Sequence, residues 1–158
     1  KIPYIHNTIA SPESANYYHK QFPRERFEKI NPDMKQRIAE DAAIPFQEYM
    51  NAKRELSFLK RNVNHAFNEV DLIISPTSLT PALKIEENIS PMHVICCMLA
   101  SDTGLPSISL PCGFSSTDDT PMPIGLLVIG KHLADDLVLR AAYAYEQSTE
   151  WHTKHPPI

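Results

Sequence analysis

Glycine is scarce in this chain: only four occur in 158 residues, at Gly104, Gly113, Gly125 and Gly130, and no two are adjacent. Average usage would be about 7%. Without a glycine run the backbone cannot wrap closely around a phosphate, so neither a phosphate-cradling loop nor a dinucleotide fingerprint can be written from this sequence. Cysteine is equally sparse. Cys96, Cys97 and Cys112 are too few and too oddly placed for a disulfide framework, and adjacent cysteines do not match the spacing of structural zinc ligands. They read as small buried apolar side chains in a reducing, cytoplasmic setting. No apolar run approaches the roughly 20 residues that a membrane span needs. The opening Lys1-Ile2-Pro3-Tyr4 has neither an apolar core nor a small-residue cleavage site, so it does not read as a signal peptide, and it does not begin with Met.

Charge of one sign is also missing as a concentrated feature. The net charge is −4, with 15 Lys and Arg against 19 Asp and Glu. Basic residues gather between Lys20 and Arg61, but acids are interleaved with them, which suits solvated helix faces. A nucleic-acid groove needs a basic stripe, so no nucleic-acid partner is expected. Proline, by contrast, is abundant at 14 residues and punctuates the chain.

The first thirty residues read as a connector with a short helix started by Ser11, Pro12 and Glu13. Asn31-Pro32-Asp33 repeats that start signal for a helix through about Ala43. Pro45 opens the longest periodic segment, in which Phe46, Met50, Leu56, Leu59, Val63, Phe67 and Val70 form one apolar stripe. Leu72 to Ile74, Ser107 to Leu110 and Ile124 to Ile129 read as short, buried strands. A compact apolar helix is expected from His93 to Ala100, with a loop at Pro76 to Pro91 and a polar turn at Ser115 to Thr120. A last helix runs from Asp135 to about Glu150, with Leu139, Ala142, Tyr143 and Tyr145 facing inward, and then an extended tail. Helices alternating with strands predict an α/β fold, part of a mixed β-sheet covered by helices. Three strands are few for a sheet covered on both faces, so the chain is expected to complete a larger one.

Several segments, in order, carry a family resemblance. Asp71-Leu72-Ile73-Ile74-Ser75-Pro76-Thr77 is one, and Thr103-Gly104-Leu105-Pro106-Ser107-Ile108-Ser109-Leu110-Pro111-Cys112-Gly113-Phe114 is the second. Pro123-Ile124-Gly125-Leu126 followed by Ile129-Gly130 is the third, and Ala141 to Trp151, containing Tyr145-Glu146-Gln147, is the fourth. Upstream stand Met34 to Ile38 and Tyr49 to Arg54. Together they resemble the C-terminal third of amidase-signature enzymes, a family that includes the glutaminyl-tRNA amidotransferase A subunit, fatty-acid amide hydrolases and peptide amidases. The chain departs from the family pattern at Ser101, where Asn is common, at Leu127, where Gln is common, and near Arg37, where a glycine is absent.

The resemblance implies that residues 1–158 are the C-terminal part of one amidase domain, mainly helical over 1–70 and completing the sheet over 71–158. It implies cleavage of a carboxamide by a Ser nucleophile, a Ser on a cis peptide bond and a neutral Lys, with a glycine-rich oxyanion loop. A hydroxyl needs such a base to become a nucleophile, and preorganised donors stabilise the oxyanion. In the family those groups lie N-terminal to the region seen here, so no catalytic residue is expected in this chain, and it is expected to be inactive alone. The resemblance assigns pocket-shaping roles to Arg37, which contacts a substrate carboxylate in amidotransferase relatives, and to Thr77, His93, Cys97 and Thr103. Four of them have a plainer reading: an ion pair on a helix for Arg37, loop capping for Thr77, and core packing for His93 and Cys97.

No cofactor or metal is implied. The expected partners are a small-molecule amide and either the N-terminal part of the amidase or another copy of the chain, with no membrane contact. Two other readings stay open. The chain can be a non-catalytic subunit or binding module that completes a partner's fold. Alternatively, Ser57 and Lys60, at Ser-x-x-Lys spacing with Ser101-Asp102-Thr103 further along the sequence, can serve an independent hydrolase, although the third motif of such enzymes has no counterpart. The paired acids Glu86-Glu87, Asp118-Asp119 and Asp135-Asp136 read as loop or helix-start charges, and His152 and His155 as surface residues.

Overall fold

Asn31 caps the helix that its sequence announces: its side-chain oxygen accepts a hydrogen bond from the Met34 backbone N–H at 2.7 Å, and Pro32 sits in the first turn. In this computed structural model, which describes residues 1–83, 94–116 and 121–155, the chain divides into two compact units, Lys1–Leu59 and Lys60–Ile158.

The first unit is helical. Helix α1 spans Ile2–Lys20, α2 Arg24–Glu28, α3 Pro32–Ala42, and α4 Phe46–Ala66, whose last residues belong to the second unit. Ile5, Ala15, Ile38, Ala52 and Leu56 form the buried apolar set, joined by Thr8. The expected short helix at Ser11 is instead the second half of α1, which runs straight through Pro12. A proline inside a helix costs about 3 kcal/mol of helix propensity. Here Ile5, Thr8 and Ala15 bury one stripe at spacings of three and seven, and α1 packs along α3, so tertiary burial overrides the local start signal.

Glu13 fastens α1 to α4. Its carboxylate accepts a hydrogen bond from the Tyr49 hydroxyl at 2.8 Å and lies 4.0 Å from Lys53 Nζ, while Lys53 Nζ stands 5.8 Å from the centre of the Tyr49 ring. The predicted apolar stripe of α4 holds in its middle, at Leu56, Val63 and Phe67, and fails at its ends. Phe46 is 75% exposed and Val70 is also exposed. The helix stops at Ala66, so Val70 is outside it and no longer shares its phase.

The second unit contains the sheet. Strand β1 is Leu72–Pro76, helix α5 is Ile95–Thr103, β2 is Ser107–Phe114, β3 is Pro123–Gly130, helix α6 is Asp135–Ser148, and a 3₁₀ turn spans Trp151–Thr153. The order is β1-β3-β2, and both pairings are antiparallel, so β1 and β2 run parallel to each other on either side of β3. This is an α/β fold with a small sheet flanked by helices. Residues directly opposite each other in an antiparallel pair share a face. One face therefore carries Ile74, Val128 and Ile108, then Pro76, Leu126 and Leu110. Helix α6 covers the β2 and β3 part of it, with Ala142 packed beside Leu110 and Val128 and Tyr145 against them. Gly130 makes this close approach possible, because a Cβ there would collide with the Val138 side chain. The other face carries Ile73, Ile129 and Ser107, then Ser75, Leu127 and Ser109, and α5 approaches β3.

Four local expectations change here. The strands are not apolar and buried throughout: Ser107 and Ser109 are exposed, and Ile74, on an edge strand, is 66% exposed. Strand β2 continues past Pro111 to Phe114 by way of a register shift between Pro111 and Gly113, because an edge strand tolerates proline at a bulge. In α6, Ala142 and Tyr145 face the core as predicted, but Leu139 and Tyr143 are 60% and 65% exposed. Val138 takes the inward place over Gly130, which turns the helix so that Leu139 and Tyr143 face out. The tail is not extended directly after Trp151. The Trp151 ring meets Phe114 edge-on at 6.1 Å, and the 3₁₀ turn begins at Trp151 itself. No helix among the described residues is long and apolar enough to cross a membrane.

Candidate functional site

Where β1 ends, the chain is held at one residue by three separate groups. Thr77 donates its backbone N–H to the Gly125 carbonyl at 2.8 Å. Its hydroxyl lies 2.6 Å from the Ser109 hydroxyl, and its carbonyl accepts the Cys97 thiol at 3.3 Å. Pro76 and Gly125 make this geometry local and repeatable. Pro76 fixes its own φ just before Thr77. Gly125 leaves room for the hydroxyl pair: a Cβ there would lie 2.6 Å from Thr77 Oγ1 and 2.9 Å from Ser109 Oγ.

Thr77 follows directly on β1, Ser109 lies in β2 and Gly125 in β3, and each belongs to a different one of the sequence motifs described above. Ser109 and Gly125 were missed as site residues although the motifs contain them. The signal was available: a glycine between apolar neighbours inside a strand marks a close approach of something from outside that strand.

Helix α5 brings Cys97 to this point. It ends in a left-handed Gly104 with φ 74°, whose N–H returns to the Ala100 carbonyl. Burial pushes the Cys97 thiol above its ordinary range, and the neighbouring Cys96 adds to the same direction. Cys97 therefore presents a neutral S–H at neutral pH. Thr103 is buried at the end of α5 and donates its hydroxyl to the Leu99 carbonyl at 2.5 Å, so that hydroxyl serves its own helix. Thr77 and Cys97 are thus in contact. Arg37 is exposed on α3 in the other unit, and His93 lies outside the described residues.

The remaining candidates have ordinary roles. Ser57 donates its hydroxyl to the Lys53 carbonyl at 3.0 Å, one turn back along α4. The three cysteines are free thiols. Asp135 and Asp136 stand in the first turn of α6, where acids complement the helix dipole, and Asp136 pairs with Arg140 at 3.4 Å. The other paired acids, Glu86-Glu87 and Asp118-Asp119, lie outside the described residues. Among the described residues no group of three or more His, Cys, Asp or Glu is arranged to hold a metal ion. A groove of about 480 Å³ in the first unit is lined by Tyr4, Ile5, Asn51, Arg54, Glu55 and Phe58, and contains none of the predicted site residues.

A family described as Amidase matches residues 3–139 of the chain. The A subunit of the glutamyl-tRNA(Gln) amidotransferase of Synechococcus sp. (strain JA-3-3Ab) is 37% identical over 155 residues, covering 92% of this chain and 30% of the relative. Its counterpart in Acaryochloris marina is 43% identical over 115 residues, 70% of this chain and 23% of the relative. The chain therefore spans about a third or less of the length of these curated relatives. Among solved structures, an amidase superposes with a TM-score of 0.81 at 20% identity, covering 94% of this chain and 35% of that one. The A subunit of the Thermotoga maritima glutamyl-tRNA(Gln) amidotransferase superposes with a TM-score of 0.61 at 29% identity, covering 94% of this chain and 34% of that one.

Proposed function

This chain belongs to the amidase family, and on that premise we propose that it is the C-terminal, pocket-shaping part of an amidohydrolase. The reaction converts a carboxamide to a carboxylate and ammonia. The nucleophilic Ser, the cis-Ser relay, the Lys base and the glycine-rich oxyanion loop lie outside this chain. One observation carries the reading: residues of three separate motifs, Thr77, Ser109 and Gly125, converge on a single hydroxyl pair at the end of β1.

In this reading Thr77 and Cys97 form part of the wall of the acyl side of the cavity, joined by the Cys97 thiol on the Thr77 carbonyl. His93 and the turn at Thr103 shape the same wall. The neutral thiol and hydroxyls suit an uncharged amide better than an ion, since a desolvated charge needs a partner of opposite sign. A second reading keeps the same geometry without chemistry: the chain is a non-catalytic subunit that completes another chain's amidase fold. Ile74 on β1 supports a surface that further structure covers, because a large apolar side chain 66% exposed on an edge strand is a place for pairing.

The test is release of ammonia from a panel of simple carboxamides, with size exclusion on the same material. The chain is assayed alone and after addition of the N-terminal part of a family member. Turnover only in the mixture supports the pocket-shaping role. A complex without turnover supports the non-catalytic subunit, and turnover by the chain alone overturns both.

A further inference from the structure

Asn51, Arg54, Glu55 and Phe58 recur at helical spacing, so they share one face of α4. Tyr4 and Ile5 line the facing side from α1. Between the two helices lies the groove of about 480 Å³, all of whose lining belongs to the first unit. That volume falls in the range of small-molecule sites, roughly 300–1,000 Å³. Its lining is apolar at Ile5, which is buried, and aromatic at Tyr4 and Phe58, whose side chains are 47% and 56% exposed.

The charges of the groove do not cancel. Lys1 Nζ lies 3.5 Å from the Glu55 carboxylate, so those two compensate each other. Arg54 pairs with no carboxylate among the described residues, and its guanidinium donates to the Asn51 side-chain oxygen at 3.4 Å. A guanidinium carries five N–H donors in a planar fork, so most of them remain for a ligand. With its oxygen used as the acceptor, the Asn51 amide group turns its N–H donors to the same place.

This combination selects a ligand class. A purely apolar molecule leaves the guanidinium unmatched, and a small inorganic anion leaves the two rings in water. A planar aromatic acid satisfies both: its ring removes water from Tyr4, Ile5 and Phe58, and its carboxylate accepts the two parallel N–H bonds that the fork offers.

We propose that this groove binds an aromatic monocarboxylate, with Arg54 and Asn51 holding the carboxylate and Tyr4, Ile5 and Phe58 holding the ring. The site is separate from the cluster around Thr77 and does not depend on the amidase reading.

The experiment is a titration of the isotopically labelled 158-residue chain with cinnamate, followed by NMR, with cinnamamide and acetate in parallel. Saturable shifts are expected at the Ile5, Asn51, Arg54 and Phe58 amides. Cinnamamide, which keeps the ring and loses the charge, and acetate, which keeps the charge and loses the ring, should each bind about tenfold more weakly. Arg54→Gln should raise the cinnamate Kd about tenfold and leave that of cinnamamide unchanged, while Phe58→Ala weakens both by a similar factor. Arg54→Lys, which keeps the charge without the fork, should fall between Arg54→Gln and the wild type. Arg54 and Phe58 are exposed, so these variants keep the fold, and preserved dispersion of the spectrum shows it. Absence of saturable shifts up to the solubility limit overturns the site, as do shifts scattered over the basic residues of the whole surface. An Arg54→Gln chain that binds cinnamate like the wild type, or cinnamamide binding as tightly as cinnamate, overturns the carboxylate assignment. Ammonia release by the completed assembly decides the amidase reading and is independent of each of these outcomes.

Discussion

Thr77 and Ser109 are 32 residues apart in the chain, and their hydroxyls lie 2.6 Å from each other above a glycine that belongs to neither segment. The contact exists because β3 pairs with β1 on one side and β2 on the other, which brings Thr77, just past the end of β1, toward Ser109 of β2 at a position of β3 that has no side chain. Gly125 is that gap. The Thr77 carbonyl at the same point receives the Cys97 thiol from α5.

Filling the gap tests this arrangement directly. Gly125→Ala places a Cβ against Thr77 Oγ1 and Ser109 Oγ, with the Thr77 Cβ only 2.9 Å away, so rotating the hydroxyls does not relieve it. Overpacking of this kind costs about 1–3 kcal/mol. The expected result is a lower urea midpoint with an unchanged slope, followed by circular dichroism. An unchanged midpoint would show that the strands open at this point without cost.

Tyr49 reports on the fastening of α1 to α4. The hydrogen bond to Glu13 raises the Tyr49 hydroxyl above its ordinary value of 10.0, helped by partial desolvation and by the Glu13 charge. The neutral phenol is the form that the folded unit favours. Its contribution is complete below pH 10.0 and is lost as the pH rises through the higher folded-state value. The stability difference between wild type and Tyr49→Phe should therefore shrink above about pH 10. Absorbance titration should also show one tyrosine ionising late, and earlier in Glu13→Gln. A Tyr49 that titrates with the other tyrosines contradicts the hydrogen bond.

Cys97 should be the slowest of the three thiols to alkylate. Its raised value leaves less thiolate near about pH 8, and its S–H donates to the Thr77 carbonyl at 3.3 Å, a closer contact than the 3.5 Å between the Cys112 thiol and the Ile124 carbonyl. Peptide mapping after brief iodoacetamide treatment should show Cys97 modified at least about threefold more slowly than Cys96 or Cys112. Equal rates at all three positions would remove the engaged thiol from this account.

Several elements could be read from residues alone because their cause is local. Asn31-Pro32 announces α3, since the cap and the first turn lie within four residues of each other. Pro45 opens α4, its carbonyl accepting from the N–H groups of Glu48 and Tyr49, and Asp71 precedes β1. Other readings failed where the deciding partner is distant. Pro12 looks like a helix start, but burial of Ile5, Thr8 and Ala15 carries α1 through it. Leu139 and Tyr143 look like an inward face, but contact between Val138 and Gly130 sets the rotation of α6 the other way.

The site divides along the same line. The order and spacing of the motif segments that contain Thr77, Gly104, Ser109, Gly125 and Tyr145 are properties of the sequence, and together they carry the resemblance to the family whose model matches residues 3–139. Helix capping, proline placement and the α/β alternation follow from the sequence too, because each depends on neighbours in the chain. Which motif residues touch was decided only by the strand order β1-β3-β2. Register across that sheet places a threonine, a serine and a glycine together, and α5 adds the thiol. No local preference encodes those contacts, because each depends on side-chain packing between segments that are far apart in the chain.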